Sequence, residues 1–184
     1  LGTGKITVSG DITMNDSDPD RNLIVISAFG FLELGGGIAG GALVGLDGGV
    51  NYNGTSPQTV AINPNYLYPN LNINNPAGAT LQAAVTAAHV TRNFQVQSGS
   101  LSNNGFSISG LAEDGFMVQS GATFILTGTS AMVTGFTKTF APGSIVNYAG
   151  TSQTISAESY GNLTISGSGT KSLGGTTTVS GTLT

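Results

Sequence analysis

Apolar and polar residues alternate along this chain in short runs, and the runs are separated by glycine, asparagine or serine. Lys5-Ile6-Thr7-Val8-Ser9 alternates as a half-buried strand does. Asn22 to Leu34 carries a β-branched and aromatic apolar run that favours strands over helix. Ala83 to Val90 also leans toward strand through Val85, Thr86 and Val90. Three segments share one pattern: Val96-Gln97-Ser98-Gly99-Ser100-Leu101, Val118-Gln119-Ser120-Gly121-Ala122-Thr123-Phe124 and Phe140-Ala141-Pro142-Gly143-Ser144-Ile145. Their glycines, at 99, 121 and 143, are 22 residues apart both times. A segment of that length is too short to bury its own apolar residues. Stacked at about 4.8 Å per step, successive segments bury them together. The spacing therefore predicts an all-β fold, a parallel β-helix (β-solenoid) with turns of about 22 residues, over residues 1–184 as a single domain.

A longer repeat lies on top of this period. Residues 50–60 read V-N-Y-N-G-T-S-P-Q-T-V, and residues 146–155 read V-N-Y-A-G-T-S-Q-T-I. Each copy is followed by Tyr-x-Asn-Leu-x-Ile (68–73 and 160–165) and then by a Thr-Leu or Ser-Leu pair ending at Leu81 or Leu173. The offset is 96 residues at Asn51 and Asn147 and 92 at Leu81 and Leu173, so related units span about 50–81 and 146–173. About four turns separate them, and the two copies are expected to mark equivalent turns. Asn51, Tyr52, Asn147 and Tyr148 are candidates for axial ladders, in which amides bond and aromatic rings pack from turn to turn.

The two ends match as well. Val8-Ser9-Gly10-Asp11-Ile12-Thr13 and Val179-Ser180-Gly181-Thr182-Leu183-Thr184 have one pattern. No capping helix and no charged terminal turn is evident, and uncovered strand edges template further pairing. Ile6, Val8, Ile12, Val179 and Leu183 are thus the expected stacking residues of a head-to-tail homopolymer or of a longer array.

Composition narrows the functional classes. Only 8% of the 184 residues are charged and the net charge is −4, while 39% are apolar. Disorder needs the opposite balance, and no apolar run approaches the roughly 20 residues of a membrane helix. Five Lys plus Arg, scattered, give no electrostatic footprint for nucleic acid. There is no Cys, hence neither disulfide nor thiolate chemistry. Low charge with abundant Gly, Thr and Asn suits an extracellular or cell-surface protein.

Candidate chemistry is sparse. Asp16, Asp18 and Asp20 alternate in Asn15-Asp16-Ser17-Asp18-Pro19-Asp20 and could offer oxygens to Ca²⁺. The glycine and distal glutamate of an EF-hand loop are missing, and a polar turn explains the same residues. No other cofactor is expected. The glycines of 35–49 lack the helix and Lys-Ser/Thr pair of a phosphate loop and read as tight corners. Glu113-Asp114 beside Gly115 reads as a solvated turn, and His89 as an outward or satisfied side chain. Polysaccharide lyases and hydrolases need carboxylates gathered in one groove, which this distribution does not supply, so the chain reads as a non-enzyme. A Thr-rich face including Thr176, Thr177, Thr178, Thr182 and Thr184 could bind ice or glycans, but a regular T-x-T is not kept through 94–145.

Residues 143–155, 160–175, 178–184 and 94–110 resemble the repeats of very large secreted bacterial surface proteins, adhesin-like or haemagglutinin-like and often cargo of type IX secretion; the match covers most of 50–184 and, less well, 1–14, while 15–49 are atypical. The resemblance implies an extracellular β-helical stalk, adhesin or fibre; the expected partners are further copies of the chain along the axis, from the matched ends, and glycans or other cell surfaces.

Overall fold

The computed structural model describes residues 4–14, 23–26 and 30–184. It is a β-solenoid: the strands are parallel and successive coils of about 22 residues stack along one axis. Each coil has three sides. The first side runs through Lys5–Val8, Phe31–Leu34 and Gly49–Tyr52, residues 70–73 of Tyr66–Leu81, residues 93–96 of Val90–Ser102, then Gly115–Val118 and Thr137–Phe140. On it Val8, Leu34, Tyr52, Ile73, Val96, Val118 and Phe140 are consecutive register partners. The steps between them are 26, 18, 21, 23, 22 and 22 residues. The column continues where the Phe140 ring stacks on Tyr160 at 5.3 Å and Tyr160 pairs with Val179.

The second side carries Ile12–Thr13 with Ile38–Ala39, Gln58–Val60 with residues 79–81, and then residues 101–102, Thr123–Leu126, Ile145–Tyr148 and Asn162–Ile165. The third carries Leu23–Ile26, Ala42–Gly45 and residues 66–67, and in the last coils Gln153–Ile155 with Lys171–Leu173. Alternation places one set of side chains inside. Leu71, Phe94, Phe116, Leu101, Phe124 and Val146 are fully buried along the axis, each worth roughly 1.5–3 kcal/mol of burial. Edge-to-face contacts between Phe116 and both Phe94 (5.5 Å) and Phe124 (5.0 Å) add to the middle of this core.

The glycines that set the 22-residue period occupy one kind of corner. Gly99, Gly121 and Gly143 have φ of 66°, 79° and 83°, the left-handed region open to glycine. At Gly99 a Cβ would also lie 1.8 Å from the Asn75 carbonyl oxygen of the neighbouring coil, so the backbone there tolerates no side chain.

Two expectations are corrected. Ala83 to Val90 is not a strand: Val85 makes a single bridge to Ile108, and residues 87–89 form a turn before Val90 opens the next strand. The Thr86 hydroxyl and carbonyl accept the Ala88 and His89 N–H groups, and this local bonding competes with the ladder. The duplicated motif, moreover, does not mark equivalent turns. Gly49–Tyr52 lies on the first side and Gln58–Val60 on the second, whereas Ile145–Tyr148 lies on the second and Gln153–Ile155 on the third. The offset of 96 residues is four coils of about 22 plus about 8, which is one side. The rest of the unit rotates with it: Tyr68 follows the third side and Tyr160 lies on the first, Leu71 on the first and Leu163 on the second. One sequence unit thus fits the solenoid starting from the first side or from the second.

Candidate functional site

The duplicated unit is a buried hydrogen-bonding device. Its Tyr points inward and its hydroxyl accepts the N–H of the corner after the next strand: Ala61 for Tyr52 (3.2 Å) and Ser156 for Tyr148 (3.0 Å). A second Tyr donates to the carbonyl of that same corner residue, Tyr68 to Ala61 (2.7 Å) and Tyr160 to Ser156 (2.9 Å). The hydroxyls of each pair also meet, at 3.4 Å for Tyr52 and Tyr68 and 2.9 Å for Tyr148 and Tyr160. Burial pushes the Tyr52 hydroxyl up to about 12, and raises Tyr68 and Tyr160 well above the ordinary tyrosine range. These hydroxyls stay protonated and serve the backbone.

The motif's Gln closes the preceding corner. Gln58 Oε1 accepts from Gly54 N at 2.8 Å, while its Nε2 donates to the carbonyls of Leu34 (2.8 Å) and Gly36 (2.6 Å) one coil away. Gln153 repeats this with Gly150 N (2.9 Å) and the carbonyls of Leu126 and Ser130 (both 3.2 Å). One amide thus pairs a corner N–H and a corner carbonyl and adds a second donor to a strand-end carbonyl that the Asn53 or Ala149 N–H already reaches.

The ladder candidates are placed as follows. Tyr52 stands between Leu34 and Ile73, and Tyr148 between Leu126 and Ile165, so their axial neighbours are aliphatic. Asn51 lies between Glu33 and Asn72 and donates to Glu33 Oε2 at 2.9 Å. Asn147 lies between Ile125 and Thr164, and its Oδ1 accepts from the Ser166 hydroxyl at 2.8 Å. An amide ladder does form elsewhere. Asn93 Nδ2 donates to Asn70 Oδ1 at 2.9 Å, and Asn70 Nδ2 donates to the carbonyls of Asp47 and Gly48 at 3.2 and 3.1 Å. The signal for it was the pattern Asn-Leu-Asn-Ile at 70–73 and Asn-Phe-Gln-Val at 93–96, one coil apart.

Asp16, Asp18 and Asp20 lie outside the described residues. Among the described residues no three His, Asp or Glu side chains gather as metal ligands, and no helix is long and apolar enough to cross a membrane. Glu113 is exposed, but Asp114 is not part of a solvated turn: it is 3% exposed, and its Oδ2 has no partner among the described residues. Asp114 directly precedes the strand Gly115–Val118, and its carbonyl accepts the Thr137 N–H of the next coil at 2.9 Å. His89 Nδ1 accepts the Thr86 N–H at 3.1 Å, and partial burial lowers its proton affinity. On the outer surface of the second side Thr59, Thr80 and Ser102 are register partners, but Ile125 follows and interrupts the row.

The expected stacking residues occupy the two end coils. Val8 and Val179 stand in the first-side column and Ile12 and Leu183 on the second side, so the two matched hexapeptides turn the same corner. Ile6 is 67% exposed, Leu183 61% and Leu173 67%, although their register partners Leu32, Leu163 and Ile155 are core residues. Val8, Ile12 and Val179 are partly covered by the core. No family profile, curated protein or solved structure matches the chain.

Proposed function

We propose that this chain is a structural segment of an extracellular surface protein or fibre, a rod that lengthens by adding coils at its ends. One observation carries the reading. The first and last described coils turn the same corner between the same two sides, and Ile6 of the first and Leu173 and Leu183 of the last are exposed although their register partners are core residues. A parallel sheet edge pairs with whatever strand is presented in phase, and a head-to-tail contact of this kind is heterologous and does not close. Coils of the same polypeptide or of a second copy suit these edges equally. The composition, low in charge and rich in Gly, Thr and Asn, fits an extracellular setting, and the inward tyrosines and glutamines of the duplicated unit serve the scaffold.

Sedimentation velocity across a concentration series tests the proposal. Elongated species that grow with concentration are expected, and Leu183→Asp, a charge on an exposed end residue, should abolish the growth. A single monomeric species at every concentration, unaltered by that substitution, would contradict it.

A further inference from the structure

The sequence holds two Asn-Gly pairs, Asn53-Gly54 and Asn104-Gly105, and the fold treats them oppositely. In such a pair the backbone nitrogen of the glycine can attack the asparagine carboxamide, because no side chain stands beside the attacking atom. At Asn53-Gly54 both groups are engaged. Gly54 is buried and its N–H donates to Gln58 Oε1 at 2.8 Å, while Asn53 Nδ2 donates to Glu33 Oε2 at 2.5 Å. A Cβ on Gly54 would lie 2.4 Å from the Gly35 carbonyl oxygen, so the neighbouring coil hems in the backbone there.

Asn104-Gly105 is the reverse. Both residues are exposed, at the centre of a turn that the Phe106 N–H closes on the Asn103 carbonyl at 2.9 Å. Their φ values of 52° and 79° are both positive, as in a type I′ turn, and Asn104 is the one non-glycine residue with positive φ among the described residues. The Gly105 N–H makes a long bond of 3.3 Å to Asn103 Oδ1, and Asn104 Nδ2 makes one of 3.4 Å to the Leu81 carbonyl. Nothing lies within 4 Å of where a Gly105 Cβ would stand. Ser130 Oγ donates to the Gly105 carbonyl at 2.7 Å and so anchors the following peptide, not the one between Asn104 and Gly105. That peptide is free to swing until its nitrogen meets Asn104 Cγ.

We propose that Asn104 is a self-modification site, converted in the folded chain to an isoaspartyl or aspartyl residue while Asn53 is preserved. The inference is independent of the rod reading. The Gly105 nitrogen gives its proton to solvent and bonds to Asn104 Cγ, the Cγ–Nδ2 bond breaks, and ammonia leaves from a five-membered succinimide. Water then opens the ring. Addition at Cγ restores the backbone and gives Asp, and addition at the main-chain carbonyl carbon gives the isoaspartyl form, whose backbone runs through Cβ and Cγ. The balance is one carboxamide and one water to one carboxylate and one ammonium, with no oxidant and no cofactor. The product adds a negative charge to a chain whose net charge is already −4 and removes the donor that Asn104 offers to Leu81 on the preceding coil.

Peptide mass spectrometry of the folded chain, incubated in neutral buffer and then digested with trypsin, tests this. The peptide 93–138 should gain the mass that separates a carboxylic acid from a carboxamide, with fragmentation placing the change at Asn104, and the peptide 22–92, which holds Asn53, should keep its mass. Incubated in denaturant, the same chain should react at both pairs. Asn104→Asp should abolish any further gain in 93–138. A folded chain whose 93–138 peptide stays unchanged while the unfolded chain reacts overturns the proposal. So does a folded chain in which Asn53 reacts as fast as Asn104, or a gain that persists in Asn104→Asp.

Discussion

The two copies of the duplicated unit use the same side chains on different sides of the solenoid. In both, one tyrosine serves the N–H and another the C=O of a single corner residue, and a glutamine closes the corner before it. Their surroundings differ. The first copy lies under a full coil, with Asn75 Nδ2 donating to Gln58 Oε1 at 2.8 Å. The second lies nearer the open end, where the Lys171 ammonium donates to the carbonyls of Gly150, Thr151 and Ser168. Gln58 bonds its two carbonyls at 2.8 and 2.6 Å, Gln153 at 3.2 Å each. What is shared faces the corner and the core. The partner of the shared asparagine differs: Asn51 donates to Glu33, and Asn147 accepts from Ser166. The repeat is preserved where corner backbone groups must be satisfied.

The largest effect expected from this comparison is at the glutamines. Gln58→Ala leaves the Gly54 N–H and the Gly36 carbonyl without their partner and takes one of two donors from the Leu34 carbonyl, which keeps the Asn53 N–H, and should cost about 2–4 kcal/mol at roughly 1–3 kcal/mol per unsatisfied buried group, less what water recovers. Gln153→Ala, with longer bonds near the open end, should cost less. Chemical denaturation of both variants measures the difference, and equal losses would break the distinction between a covered and an uncovered copy.

The tyrosine pairs give a smaller, pH-dependent effect. Tyr52 is raised from about 10 to about 12 because the fold holds it neutral. Its contribution is complete below pH 10 and is lost as pH rises toward 12, because the unfolded chain gives up the proton first. Tyr68 and Tyr160 are displaced in the same direction and act in the same sense. Stability should therefore be flat to pH 10 and fall above it. Tyr52→Phe should cost about 1 kcal/mol near neutral pH through the lost bond to Ala61 N. It should also make the alkaline fall shallower. A fall that is unchanged in Tyr52→Phe would assign the alkaline sensitivity elsewhere.

Much of the architecture was legible in the sequence because a solenoid writes its period directly. Gly99, Gly121 and Gly143 are spaced by one coil and share one positive-φ corner, and the matched ends of the chain turn one corner too. The rotation of the duplicated unit was not legible, since a spacing of 96 residues looks like about four turns until the sides are assigned. The roles of Tyr52 and Tyr148 were hidden for a related reason. A tyrosine inside a coil bonds across the core to a corner eight or nine residues on, not to its axial neighbour. The burial of Asp114 was hidden because a turn signal in the sequence does not say which side of the wall the carboxylate faces.

The central claim is that coils 4–14 and 171–184 are open to further coils along the axis. Electron microscopy of the concentrated protein tests it most directly. The account predicts unbranched rods one solenoid wide, lengthening with concentration, with a meridional repeat of about 4.8 Å running unbroken across the junctions. Discrete particles of one uniform length at every concentration would contradict it.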